Sequence, residues 1–260
     1  MLRILSALVL IPVFFAGIWF LPPVLLLAVA EGVLALAFVE YARLAEALGA
    51  RVPRAASAAA AMVTCAAVGL GLPLELPLAA ILVGLGAIVL ATRAPSPGVL
   101  GDVSAAAFPV LYLGLPIGSV VALRESAGRE AVLLLLVTVI VSDSAQYFTG
   151  RLFGRRRLAP AISPKKTVEG AAGGFLLAPI AMAAIARWWL PGRSTGWVLL
   201  VGLAIVGLGI AGDLFESLLK RSAGVKDSST LIPGHGGVLD RIDAMLFAAP
   251  VFYVLLKYGG

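Results

Sequence analysis

The chain has 260 residues, 61% of them hydrophobic and 13% charged, with a formal charge of +6 and one cysteine. A soluble globular domain carries about a quarter charged residues and a lone cysteine has no intrachain partner, so a soluble domain and a disulfide scaffold are both excluded. The basic balance suits loops that set topology and meet anionic lipid; no aromatic-interleaved basic domain accompanies it, and no nucleic-acid partner is expected.

Apolar runs near helical spanning length recur along the chain, and about twenty residues cross the ~30 Å hydrocarbon core as a helix. Nine spans are predicted, at residues 4–20, 23–41, 56–72, 75–92, 105–123, 131–149, 171–189, 196–216 and 242–257. The first follows Met1-Leu-Arg3 and is read as a retained span, because a second apolar segment begins directly after Leu21-Pro22-Pro23. Cys65 reads as a small buried packing residue. A tight turn is predicted at Gly71-Leu72-Pro73-Leu74-Glu75, and Pro109 and Pro116 are expected to kink the fifth span. Glu31 stands mid-span without a motif, and a buried hydrogen bond and a functional role are equally open for it.

With the N-terminus in the cytoplasm, only Arg124, Arg129, Arg187, Arg193 and Lys257 lie outside, and the other 15 of the 20 basic residues lie inside. The predicted fold is therefore all-α: a polytopic helical bundle of about nine transmembrane helices in the inner (cytoplasmic) membrane, N-terminus inside and C-terminus outside. It divides into an N-terminal part, 1–130, of about five spans and a C-terminal catalytic part, 131–260, of about four. The long polar loops 150–170 and 217–241 then share the cytoplasmic face, where the chemistry is expected.

Asp213, Glu216, Ser217 and Lys220 fall at i, i+3, i+4 and i+7 and share one helical face; a snorkelling ion pair at the interface is the plain alternative. Asp240 and Asp243 form a second i, i+3 pair, which helix capping alone would also explain. Mg²⁺ is held through one or two carboxylates plus phosphate oxygens. Asp213 with Asp240 is the first choice for such a site, with Asp243 and Asp143 as supplements, and a second cation is left open. Lys220, Arg221, Lys226 and Arg241 are cationic clamps of the kind that stabilise charge in phosphoryl transfer. In Pro233-Gly-His-Gly-Gly237 the glycines, Gly236 and Gly237 among them, let backbone N–H groups approach a phosphate. His235 is open as a phosphate donor, a general acid/base or a structural hydrogen-bonder. Ser163-Pro-Lys165-Lys166-Thr167 reads as a Pro-fixed turn presenting two ammonium groups and two hydroxyls before the seventh helix. These residues point to a membrane enzyme handling phosphates with Mg²⁺, and leave its substrate open.

The stretch Ser217-x-x-Lys220-Arg221, Lys226-Asp227-x-Ser229, Ile232-Pro233-x-His235-Gly236-Gly237, Asp240-Arg241-x-Asp243 resembles the signature of the phosphatidate cytidylyltransferase (CDP-diacylglycerol synthase) family without a gap. The run from Asp143 through Ser163-Pro-Lys-Lys-Thr167-x-Glu169-Gly170 is similar to the same family, with Gln146 and Val168 as departures. The resemblance covers the C-terminal half. It implies transfer of CMP from CTP to phosphatidate, giving CDP-diacylglycerol and pyrophosphate, with Mg²⁺ as cofactor, and homodimers. It also implies Asp213, Asp240 and Asp243 as metal ligands, with Lys220 and Lys226 on phosphates; Asp143 is expected beside the metal, and Lys220, Lys226, Asp227, Arg241 and His235 are the expected catalytic set. Substrate contacts are expected at Ser163, Lys165, Lys166, Thr167, Ser217, Arg221, Gly236 and Gly237. The rivals are a CTP-dependent polyprenol or dolichol kinase, which would release CDP, and a transporter, whose acids should cluster near mid-membrane at broken helices. No internal repeat favours the latter, and no Asp-Gly-x-x-Ala-Arg motif marks a CDP-alcohol phosphotransferase.

Overall fold

The structure is a computed structural model describing residues 15–231 and 236–259. Residues 15–20 are helical. Helix α1 (Pro23–Ala47) starts on a proline, whose fixed φ and missing N–H suit a first turn. Helix α2 (Arg54–Gly69) ends in the predicted turn, closed by Leu72 N–H donating to Ala67 O (2.8 Å), and α3 (Glu75–Thr92) follows. Helix α4 (Val99–Pro109) passes through a π-helical turn, Val110–Gly114, into α5 (Leu115–Phe153). The expected kink thus takes the form of a π turn between Pro109 and Pro116. A proline in a helix removes one hydrogen bond and crowds the carbonyl four residues back, and a widened turn relieves both.

The run Val99–Phe153 is 55 residues long. Straight, it would reach about 80 Å, far more than a bilayer's hydrocarbon. It breaks at Gly128, whose φ of 85° and ψ of 171° are a backbone conformation essentially reserved for glycine. The predicted boundary between the fifth and sixth spans falls on this break.

A hairpin follows, β1 (Arg157–Ala159) antiparallel to β2 (Ser163–Thr167), pairing Arg157 with Thr167 and Ala159 with Ser163. The all-α expectation held no strand, and the Pro-fixed turn predicted at 163–167 is corrected to a β-strand. Pro160 and Pro164 deny this segment a helix, and an extended Ser163–Thr167 sends alternate side chains to opposite sides. Helices α6 (Val168–Trp189), α7 (Thr195–Ser222) and α8 (Leu239–Tyr258) complete the chain.

Among the described residues five helical runs are long and apolar enough to cross a membrane: Pro23–Ala47, Glu75–Thr92, Val99–Phe153, Val168–Trp189 and Thr195–Ser222. Only Leu85 of α3 is buried, while Leu76, Leu82, Val83 and Leu90 are exposed, as suits a helix bathed in lipid. The protein is a multi-pass helical membrane protein. Most of the predicted span 4–20 lies outside the described residues. Four of the five basic residues predicted on the outer side stand over aromatic rings: Arg129 over Trp19, Arg187 over Trp188, Arg193 over Trp197, and Lys257 near Tyr253 and Tyr258, at 4.0–5.4 Å. Aromatic and basic side chains collect in this way at a membrane interface.

One apolar core gathers Leu134, Leu135, Met182, Ile205 and Phe252 from α5 to α8. A second joins Leu34, Phe38, Cys65 and Leu113 to Leu239 and Leu246 of α8, so packing crosses residue 130. Cys65 is fully buried there. A chain of rings (Tyr41, Phe108, Tyr112, Phe215 and Phe247, neighbours 5.1–6.0 Å apart) ties α1 and the π turn to α7 and α8.

Candidate active site

A cavity of about 590 Å³ opens among α5, the hairpin, α6, α7 and the start of α8. From α5 come Asp143, Gln146, Tyr147 and Arg151; from β2, Lys165, Lys166 and Thr167; from α7, Asp213, Ser217, Lys220 and Arg221; from the following loop and α8, Lys226, Asp227, Asp240, Arg241 and Asp243. Thirteen of the seventeen residues predicted for the site therefore share one cavity. Ser163, Gly236 and Gly237 do not line it, and His235 lies outside the described residues.

The hairpin is held by local bonds. Thr167 caps α6 by accepting from Gly170 N–H (3.1 Å), and the Glu169 carboxylate accepts from the backbone N–H groups of Arg155 and Arg156 (3.0 and 3.2 Å). Strand alternation then turns Lys166 inward, where its ammonium pairs with Asp213 at 2.5 Å, and leaves Lys165 exposed.

On α7 the predicted face is realised. Ser217 donates to Asp213 (3.3 Å), and Lys220 pairs with both Glu216 and Asp240. Glu216 is fully buried and Lys220 nearly so, which replaces the snorkelling pair by an inward one. Asp240 accepts from Lys220 on one oxygen and from Ser228 N–H (3.0 Å), Ser228 O–H (2.7 Å) and Gly237 N–H (2.7 Å) on the other. Asp240 stands at the polar first turn of α8. Burial works against its charge, but the Lys220 ammonium and the loop donors outweigh it and hold its carboxyl down to about 2.

Asp143, Asp213 and Asp243 feel one another's charge across the cavity, with Lys166, Lys220 and Arg241 as the nearby cations. Gln146, a departure from the family pattern, donates to Ser142 (3.0 Å) and Asp143 (3.4 Å). Among the described residues no three Asp, Glu, His or Cys side chains gather as a metal ligand set. The donor chemistry nevertheless fits a hard cation: Asp143 and Asp243 line the cavity, and Asp213 already holds a cation, the Lys166 ammonium. Asp240 fits such a role poorly, because most of its lone pairs are taken by Lys220 and the loop. Both carboxylate oxygens of Glu31 are buried without a hydrogen-bond partner among the described residues.

Sequence reasoning missed Glu40 of α1. It is 2% exposed and accepts hydrogen bonds from Ser228, Ser229, Val238 and Leu239. A single acid near the end of an apolar helix carried no signal, since its partners lie 188–199 residues away. Tyr147 and Arg151 were also missed; their i, i+4 spacing from Asp143 and Tyr147 was the available hint.

Helices ending at a cavity rich in ammonium, guanidinium and carboxylate groups define a membrane protein with a densely charged cavity. The chain belongs to the cytidylyltransferase family, whose model matches residues 1–259. It is 37% identical over 263 residues to the phosphatidate cytidylyltransferase of Pseudomonas aeruginosa, a match covering 99% of this chain and 97% of that protein. It is 48% identical over 127 residues to the phosphatidate cytidylyltransferase of Haemophilus influenzae and 46% identical over 131 residues to the uncharacterized protein YnbB of Escherichia coli. These two matches take in 46% and 50% of this chain, and the chain spans only 44% of the length of each of those relatives.

Proposed function

We propose that the protein is a phosphatidate cytidylyltransferase, transferring CMP from CTP to phosphatidate and releasing pyrophosphate. The observation that carries this reading is the single cavity holding Lys165, Lys166, Lys220, Arg221, Lys226 and Arg241 beside Asp143, Asp213 and Asp243, in a chain of this family. Seven cations against five carboxylates leave a net positive lining that suits two polyanionic substrates, and the volume is of the size that ligand sites use.

In the proposed reaction a phosphatidate phosphate oxygen attacks the α-phosphorus of CTP, the bond from that phosphorus to the bridging oxygen of the β-phosphate breaks, and pyrophosphate leaves with the electron pair. No covalent intermediate on the protein is needed. Lys220, Lys226, Arg221 and Arg241 neutralise charge on the triphosphate, and Lys165, Lys166 and Thr167 hold the phosphate at the hairpin side. Ser217 orients Asp213. Asp143, Asp213 and Asp243 would hold Mg²⁺, which lowers the negative charge on phosphate oxygens; one or two carboxylates suffice when phosphates complete the shell. Asp240 is assigned to positioning Lys220 and the loop.

The reading includes nine spans with the N-terminus inside, an inner-membrane location with the cavity on the cytoplasmic side, and a homodimer. The split of 15 basic residues against 5 and the outer ring of aromatic-stacked cations support that topology. The test is purified protein with CTP, phosphatidate and Mg²⁺, assayed for pyrophosphate. Stoichiometric pyrophosphate, lost on chelation and restored by Mg²⁺, is expected. Release of CDP instead would make the protein a lipid kinase and overturn the reading.

A further inference from the structure

Glu40 is buried in α1 with no Lys or Arg within ion-pair distance among the described residues. A buried carboxylate without a cation is costly unless hydrogen bonds compensate. Here they do: one oxygen accepts from Ser229 O–H (2.6 Å) and Val238 N–H (3.0 Å), and the other accepts from Leu239 N–H (2.8 Å) and lies 2.9 Å from the Ser228 hydroxyl, whose single proton it shares with Asp240. Val238 and Leu239 carry the free N–H groups that open α8, so a side chain of α1 caps a helix two hundred residues on. A serine or aspartate at the start of α8 would cap it locally, so capping alone does not explain a buried acid brought from α1.

These contacts grip both flanks of the loop between α7 and α8. Ser228 follows Lys226 and Asp227, which line the cavity, and its hydroxyl also lies 2.7 Å from Asp240. Leu239 precedes Asp240 and Arg241, which line it from the other flank. Gly237 packs so closely on Ser228 and on both Glu40 oxygens that a Cβ there would overlap them. The contacts run unbroken from Glu40 through Ser228 and Asp240 to Lys220.

We propose that Glu40 is a positioning residue for nucleotide transfer: it clamps both flanks of the loop to the N-terminal helices and so sets Lys226, Asp240 and Arg241 around the phosphates. The inference rests on the cavity being the CTP and phosphatidate site. Glutamine at position 40 keeps the volume but offers one acceptor oxygen, so it leaves an N–H of Val238 or Leu239 facing an amide NH₂.

The experiment compares wild type with Glu40→Gln in detergent, reading kcat and KM for CTP, the melting temperature, and amide exchange at Val238 and Leu239. Displacements near 1 Å cost about 100-fold in rate, so kcat per folded molecule is expected to fall about 10- to 100-fold. Exchange at the two amides should rise, and the melting temperature should fall by several degrees, because the unsatisfied N–H is buried. Unchanged kcat per folded molecule, or unchanged exchange at those amides, overturns the proposal. Should Glu40→Gln fail to fold, Ser229→Ala removes one clamp bond, and with it the acceptor for Leu231 N–H (3.1 Å); it should lower kcat per folded molecule about 3-fold or more, and an unchanged kcat overturns the proposal. If wild type releases no pyrophosphate from CTP, the activity reading falls by itself, and the exchange comparison still tests the clamp.

Discussion

Lys220 is the cation on which two buried acids depend. Its side chain is 11% exposed, that of Glu216 is 0% exposed and that of Asp240 is 6% exposed. Replacing it in Lys220→Met keeps the length and removes the charge, leaving the fully buried Glu216 with no ionic partner. Breaking a buried pair from one side costs about 3–5 kcal/mol. For a chain of this size each kcal/mol is about 2–4 °C of melting temperature, so the midpoint in detergent should fall by roughly 10 °C. The double variant Lys220→Met/Glu216→Gln removes the orphan charge, while Asp240 keeps its bonds from Ser228 and Gly237. Most of the midpoint should return, and the two changes should be strongly non-additive. Pyrophosphate release should not return, because the cation facing the phosphates is still missing. A single variant that melts like wild type, or a double variant that regains no stability, refutes the pairing; a double variant with full turnover refutes the role on phosphates.

Asp240→Asn weakens acceptance from Lys220 and the loop, bonds worth about 1.5–3 kcal/mol when the acceptor is charged; kcat should fall about 10- to 100-fold with the protein still inserted, and near-normal turnover would reject the assignment. A carboxyl held near 2 against an ordinary ~3.9 contributes stability that is fully present above about pH 4 and lost as pH falls through 2. The gap in melting temperature between wild type and Asp240→Asn should therefore stay constant from pH 5 to 8, and a gap that narrows within that window contradicts it. Lys165→Ala with Lys166→Ala should raise the apparent KM for phosphatidate or for CTP, and unchanged values for both would remove the hairpin from substrate binding. Gly128→Ala forces a side chain into a strained backbone conformation at about 1–3 kcal/mol; the melting temperature should drop while kcat per folded molecule holds, and a change in kcat would tie this break to the chemistry.

Much of the site was legible because its residues sit close together in the chain. The i, i+3, i+4, i+7 spacing on α7 fixes which side chains share a face, whatever the helix packs against. The paired acids at the start of α8 are local in the same sense, and so is the cluster of lysines in Ser163–Thr167. Hydropathy located the helices because hydrocarbon admits few charges, and the predicted break near 124–130 fell on Gly128. The strand at 163–167 was not legible: a five-residue strand is decided by a partner, here Arg157–Ala159, more than by its own propensity.

The sequence by itself determined a helical membrane protein with a clustered set of lysines, arginines and aspartates in its C-terminal half. Periodicity, composition and contiguous motifs are properties of neighbours along the chain. Only the tertiary structure decided which charges satisfy which. It gave Lys220 to Glu216 and Asp240, gave Lys166 to Asp213, and brought Glu40 from α1 onto the loop before α8. Those pairings depend on how separate helices pack, and a carboxylate has no preference along the sequence for a donor that is near it only in space.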